Sequence, residues 1–166
     1  MKTRTILIPL LITTSLLVTF FVWEFEKNNK NEKNQNTKTE TKQILKQLKI
    51  GNSYIEIETA NTPDEKELGL GNRINLNENA GMLFDFSSYP STPTFWMKNM
   101  KFDLDIIWIQ KNSIIQITKN IPAPKNEADD LPTYKPDAPV EYVLELNSGY
   151  AEKHNLKPGD QIEFIY

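Results

Sequence analysis

Hydrophobic and polar positions divide the chain into three unequal parts. From Thr5 to Trp23 no residue carries a charge, and as a helix rising about 1.5 Å per residue this run covers roughly 28 Å, close to the hydrocarbon thickness of a bilayer. Residues 1–24 therefore read as a transmembrane anchor. Lys2 and Arg4 precede the run, and Phe20, Phe21 and Trp23 end it, where an indole suits the headgroup level. A cleavable signal segment is the competing reading; the length of the run and the lack of a small-x-small site after Trp23 stand against it. Residues 25–45 are then mostly Asn, Lys, Glu, Gln and Thr. Such a segment buries too little surface to offset its ordering entropy, so it reads as a disordered, flexible linker.

From residue 46 onward apolar residues recur at strand spacing. Leu48 and Ile50 belong to a short helical turn or a first strand, which so few residues do not decide. Tyr54 to Thr59 alternates, Ile55 and Ile57 against Glu56 and Glu58, as a half-buried strand does. Thr62-Pro63-Asp64-Glu65 offers a capping hydroxyl, a proline at the first helical position and acids in the first turn. It predicts a helix of about two turns, stopped by Gly71 in a left-handed cap and by Asn72. Met82, Phe84 and Phe86 share one face of a strand over 81–86, and Thr94 to Asn99 reads as its antiparallel neighbour. Residues 104–110 and 113–118 flank Lys111-Asn112, a two-residue hairpin connection. Five prolines between Asn120 and Pro139 make that segment a long loop or flap. Val140 to Leu146 is a strong strand, Asn147 a cap for a short helix to about His154, and Leu156 to Asp160 a turn into a final strand over 161–165. The expected fold of residues 46–166 is α+β: one strand-dominated, compact barrel-like or sandwich sheet with two short helices, behind the N-terminal transmembrane helix.

Charge and composition narrow the partners. The net charge of −3 and the dispersal of the 19 basic residues supply no basic patch for phosphates, so nucleic acid is not an expected partner. The expected partners are the membrane, through residues 5–23, and a small molecule or envelope ligand. A short basic amino-terminal tail ahead of the folded bulk places the globular domain extracytoplasmically, although Lys27, Lys30 and Lys33 nearly balance the flanking charge. Cysteine is absent, which excludes thiolate chemistry and cysteine-held zinc. Nothing in the spacing of His, Asp and Glu implies a metal or cofactor, and neither is expected.

Several separate motifs recur in the order and spacing of one family. Gly69-Leu70 with Arg73, Gly81-Met82-Leu83-Phe84 with Phe86, Phe95 to Asn99, Leu104-Asp105-Ile106, Tyr142 to Leu146, Gly149 and Pro158-Gly159-Asp160 together resemble the DUF 192 family of small bacterial and archaeal proteins, over roughly residues 52–163. Gly71, usually methionine there, and Met100 to Phe102, usually holding a threonine and a proline, depart from its pattern. The resemblance implies a small β-rich fold, often behind an export signal or anchor, and implies no activity.

The candidate site gathers the polar residues set among apolar strands: Lys98, Asn99, Asp105 and Glu145, with Asp103 nearby, Trp96 beside them and Arg73 from the family motif. By alternation Asp105 shares a face with Ile107 and Ile109, and Glu145 shares one with Val143, so either carboxylate is a candidate for burial. Three readings follow. The residues form a salt-bridged cluster that fixes strand register, with Lys98 as the basic partner; or a pocket in which Lys98 and Asn99 hold a polar group against Trp96; or a hydrolytic site using the carboxylates with Lys98. His154, the one histidine, reads as a solvated helix-end residue.

Overall fold

The computed structural model describes residues 47–126 and 131–166. The expected anchor at 5–23 and the linker at 25–45 lie outside these residues. Among the described residues no helix is long and apolar enough to cross a membrane. All the described elements belong to one compact unit, Gln43–Tyr166.

Among the described residues, nine strands and two helices make up this unit. In chain order they are β1 (Gln47–Ile50), β2 (Ser53–Ala60), α1 (Pro63–Leu68), β3 (Ala80–Asp85), β4 (Phe95–Trp96), β5 (Leu104–Gln110), β6 (Ser113–Ile121), β7 (Thr133–Tyr134), β8 (Tyr142–Asn147), α2 (Tyr150–Lys153) and β9 (Ile162–Ile165). Seven strands form one curved sheet in the order β6-β5-β8-β3-β2-β1-β9, and β4 with β7 forms a separate ribbon. Only β2 and β3 run parallel, with Ile57 opposite Gly81 and Ala60 opposite Phe84. A parallel pair needs a crossover connection, and here it carries α1. The edges of this half-barrel touch at one end, where Ile114 N donates to Asp160 O and Gly159 N donates to Ile114 O.

Local signals account for much of this. Lys111 and Asn112 both have positive φ, 50° and 58°, as the turn that matches strand twist requires, and they join Gln110 to its partner Ser113. Thr62 caps α1 through a reciprocal capping box with Glu65. Leu48 and Ile50 lie in a strand, not a helical turn. Other expectations are corrected. The glycine that ends α1 with positive φ is Gly69, at φ 53° and ψ −134°, which is not the left-handed cap expected of Gly71. Gly71 meets a different need, because a Cβ there would lie 2.8 Å from Leu68 O and 3.3 Å from Lys98 O. Asn147 does not cap α2, whose N-cap position is Gly149; its amide donates instead to Leu76 O and Asn77 O. The strand over 94–99 does not pair with β3. Its two-residue core, β4, pairs with β7, so the proline-rich stretch contributes a strand, and β6 reaches into it as far as Ile121.

The sheet buries both faces. Leu48, Ile55, Ile107, Ile109, Leu144 and Tyr150 pack on one side, with α2. Phe84, Phe95, Met97, Trp108 and Val143 pack on the other, under the β4–β7 ribbon. Edge-to-face rings tie ribbon to sheet: Phe95 stands 4.8 Å from Phe84 and 5.6 Å from Trp108, at interplanar angles of 85° and 87°, the geometry that aromatic quadrupoles favour. Gly81 lets β3 approach β8, since a Cβ there would come within 2.8 Å of Leu146 Cδ2 and 2.9 Å of Leu144 Cδ1.

Candidate functional site

Alternation along β5 and β8 sends their two buried carboxylates to opposite faces. Glu145 stands opposite Ile106 and Asp105 opposite Leu146, so Glu145 points toward the ribbon and Asp105 toward α2. Asp105 is fully buried, and its oxygens accept from Asn120 N at 2.8 Å and Ala151 N at 2.9 Å. It therefore caps the first turn of α2 across the sheet and pins the end of β6. A carboxylate with two backbone donors holding helix to strand has a structural task. Asp103 plays a similar part toward the loop after β6, accepting from Ala123 N at 2.8 Å.

Glu145 has no such support. It is 5% exposed, its Oε2 has no hydrogen-bond partner, and burial pushes its pKa up to about 8. An unpartnered buried carboxyl is costly and uncommon, and it stays protonated near neutrality to avoid burying charge. Gly69 passes directly above it: a Cβ on Gly69 would lie 3.4 Å from Phe84 Cζ and 3.7 Å from Glu145 Oε2. The end of α1, turned by that positive φ, thus forms one wall over the carboxyl.

The space enclosed is a cleft of about 410 Å³ between α1 and the start of the ribbon, a size that suits a small ligand. Glu145, Phe84 and Phe95 line its interior, and Lys66, Trp96 and Lys98 its mouth. Trp96 is 44% exposed, with Lys98 Nζ 5.7 Å from its ring centroid. Lys66 Nζ donates to Asp85 O and stands 4.4 Å from the ring centroid of Phe86, a cation–π distance.

The six sequence candidates accordingly separate. Trp96, Lys98 and Glu145 line the same cleft. Asn99, a turn residue at φ 60°, lines a shallower depression beside it, shared with Lys98 and Glu67. Asp105 is on the far face of the sheet. Arg73 forks onto Glu58, with Nη1–Oε1 2.7 Å and Nη2–Oε2 2.6 Å, and those hydrogen bonds lower the Glu58 pKa. Lys98 is exposed and pairs with neither buried carboxylate, so the expected salt-bridged cluster does not form. The alternation Phe95, Trp96, Met97, Lys98 explains this: Phe95 and Met97 take the core and turn Lys98 outward with Trp96.

Sequence reasoning missed Lys66, Phe84 and Gly69 as parts of the cleft. The one available signal was the glycine directly after the capped helix. His154 also needs correction. It ends α2 but is only partly exposed, stacked on Tyr150 at 4.1 Å and hydrogen-bonded with Ser53 Oγ at 2.7 Å. A wider, more polar depression of about 630 Å³ runs past Ser53 and His154, at the end of the sheet where the β1–β2 turn meets the segments after α2 and before β9. Among the described residues no group of three or more His, Asp or Glu is placed to hold a metal ion.

Solved structures share this fold. A protein of unknown function from Novosphingobium aromaticivorans DSM 12444 is similar at 30% identity and a TM-score of 0.63, covering 70% of this chain and 83% of its own. A Sinorhizobium meliloti 1021 protein, described as a candidate transcription regulator, is similar at 33% identity and a TM-score of 0.61, covering 71% and 90%. No curated protein matches the chain. The family model described as "Uncharacterized ACR, COG1430" matches residues 46–164, nearly the whole strand-rich unit including every residue of the cleft, and the chain belongs to this DUF192 family.

Proposed function

We propose that the protein is a membrane-tethered, non-catalytic small-ligand-binding module of the cell envelope, and that its ligand enters the cleft above Glu145. The observation that carries this reading is the buried, unpartnered Glu145 carboxyl at the floor of an open, aromatic-walled cleft. A purely structural carboxylate resembles Asp105, with its donors in place; one left without a partner beside open space is poised for a group from outside. Trp96 supplies an exposed aromatic wall and Lys98 a charge at the mouth. The description of the Sinorhizobium relative is not carried over, because the net charge of −3 gives no general attraction to nucleic-acid phosphates.

The alternative, a hydrolase built on the central-strand carboxylates and Lys98, keeps one supporting observation. A carboxyl with its pKa near 8 is suited to act as a general acid. Asp105 lies across the sheet, however, so the two central-strand carboxylates do not meet in the cleft as a two-carboxylate mechanism of the kind used on glycosides requires, and the other carboxylate lining it, Glu67, is an exposed residue of α1.

Two expected outcomes test the proposal. Cell fractionation with a carboxy-terminal tag should recover the chain in the membrane fraction, with the tag accessible to protease from outside the cytoplasm; cytosolic recovery would remove the tether. In a screen of metabolites and short glycans, hits should shift the Trp96 indole signal, and Trp96→Ala should weaken them about tenfold or more, in line with loss of a stacked aromatic wall. Hits that leave Trp96 untouched would place the binding site elsewhere, and product formation lost in Glu145→Gln would select the hydrolase.

A further inference from the structure

We infer that the cleft above Glu145 takes a small organic ammonium, with the cation set between the Glu145 carboxylate and the aromatic walls; this rests on the small-ligand reading of the same cleft. Phe84 and Phe95 border the interior beside Glu145 Oε2, an acceptor without a donor. A carboxylate and aromatic rings around one space are complementary to a desolvated organic ammonium, through ionic hydrogen bonds to the carboxylate and contact of its apolar part with the rings. The protein's own cations already show how its aromatics attract charge. Lys66 Nζ lies over Phe86 and Lys98 Nζ over Trp96, both at the mouth. Neither reaches the floor, so the deepest acceptor is left for a guest cation. Gly69 adds no side chain of its own beside this acceptor, where a Cβ would lie 3.4 Å from Phe84 Cζ and 3.7 Å from Glu145 Oε2.

The charges facing this space decide its pH behaviour. α1 presents Lys66 and Glu67 and the turn after β4 presents Lys98, while β3 contributes Phe84 and β5 sets Ile106 opposite Glu145. Glu145 is thus the one titratable group at the floor. Burial raises its pKa to about 8, so an arriving ammonium displaces a proton at neutral pH. The carboxyl O–H bond breaks, the proton leaves to solvent, and the carboxylate pairs with the guest. Affinity for a permanently charged guest should then rise about tenfold per pH unit below pH 8 and level off above it.

The test uses two probes of the same shape, benzylammonium and benzyl alcohol, titrated calorimetrically into the full chain in an uncharged detergent between pH 6 and 8.5. Benzylammonium should bind at least tenfold more tightly than benzyl alcohol at pH 8. It should gain about tenfold between pH 6 and 7, and should release close to one proton in buffers of different ionisation enthalpy. Glu145→Gln should remove the pH dependence and the preference for the cation. If benzyl alcohol alone binds and shifts the Trp96 signal, the cleft stands as a small-ligand site and the ammonium class is overturned. A pH-independent affinity for benzylammonium overturns it equally. Binding of neither probe overturns the ammonium reading and leaves the metabolite screen to judge the cleft. The comparison of the two probes on the unmodified protein stands whether or not the Gln variant folds.

Discussion

Between pH 5 and pH 9 the unmodified protein should lose about 4 kcal/mol of stability that Glu145→Gln retains. The direction follows from where the proton is held. Burial raises the Glu145 pKa from 4.5 to about 8, so between these values the folded protein keeps a proton that the unfolded chain has released. Stability contributed by the protonated carboxyl is complete below about pH 4.5, falls as pH rises, and is gone above about pH 8. Glutamine has nearly the same shape and no titration, so its curve lacks this component. Urea unfolding of both proteins, in full-length form and uncharged detergent, at pH 5, 7 and 9 reads the difference directly. Parallel curves would show that the carboxyl finds a partner or water in solution, and the cleft would lose its distinguishing feature. A bound cation should reverse part of the loss, because it stabilises the form of Glu145 that the empty fold disfavours.

The other buried carboxylate has its hydrogen-bond donors in place, and removing it should be costly. Asp105→Ala is expected to cost about 3–5 kcal/mol at neutral pH, a large part of the stability of a small domain. The substitution leaves Asn120 N and Ala151 N without their acceptor, and it frees both α2 and the end of β6 at once. Asp105→Asn keeps one acceptor oxygen and should cost less. Denaturant unfolding gives the magnitude, and amide exchange gives the location: Asn120 and Ala151 should lose protection before the central strands do. A cost within about 1 kcal/mol would refute the assignment of Asp105 as the support of α2.

The contrast between these two residues marks how far the sequence could be read. Alternation placed Asp105 with Ile107 and Ile109, and Glu145 with Val143, which already assigned each to its own set of neighbours. It could not say that the two sets were opposite faces of one sheet, because that depends on how β5 pairs with β8, an arrangement between strands distant in the chain. Short-range chemistry was legible for the same reason that it is local: Thr62 and Glu65 cap a helix that begins beside them, and Lys111-Asn112 turns a hairpin onto itself. Where a local signal competed with a distant partner, the partner won. Asn147 could cap a helix starting just after it, but its amide bonds Leu76 and Asn77 instead, and α2 draws its acceptor from Asp105. The β4–β7 ribbon was hidden because each strand is two residues long and one lies within a proline-rich stretch. The cleft was legible only in pieces: Trp96, Lys98 and Glu145 stood out as polar or exposed residues among apolar ones, whereas the contribution of α1 came from a crossover that no periodicity reveals.

The pairing of the first and last strands in the chain has a bearing on how the domain can be joined to other molecules. Gln47 stands opposite Ile165 in the antiparallel β1–β9 pair, so the first and last strands of the folded unit enter and leave it side by side, roughly 5 Å apart, the spacing of neighbouring strands. A folded unit whose first and last strands are neighbours can be inserted into a surface loop of a host chain without stretching either. A partner fused after Tyr166 would emerge near Gln47, not across the domain from it.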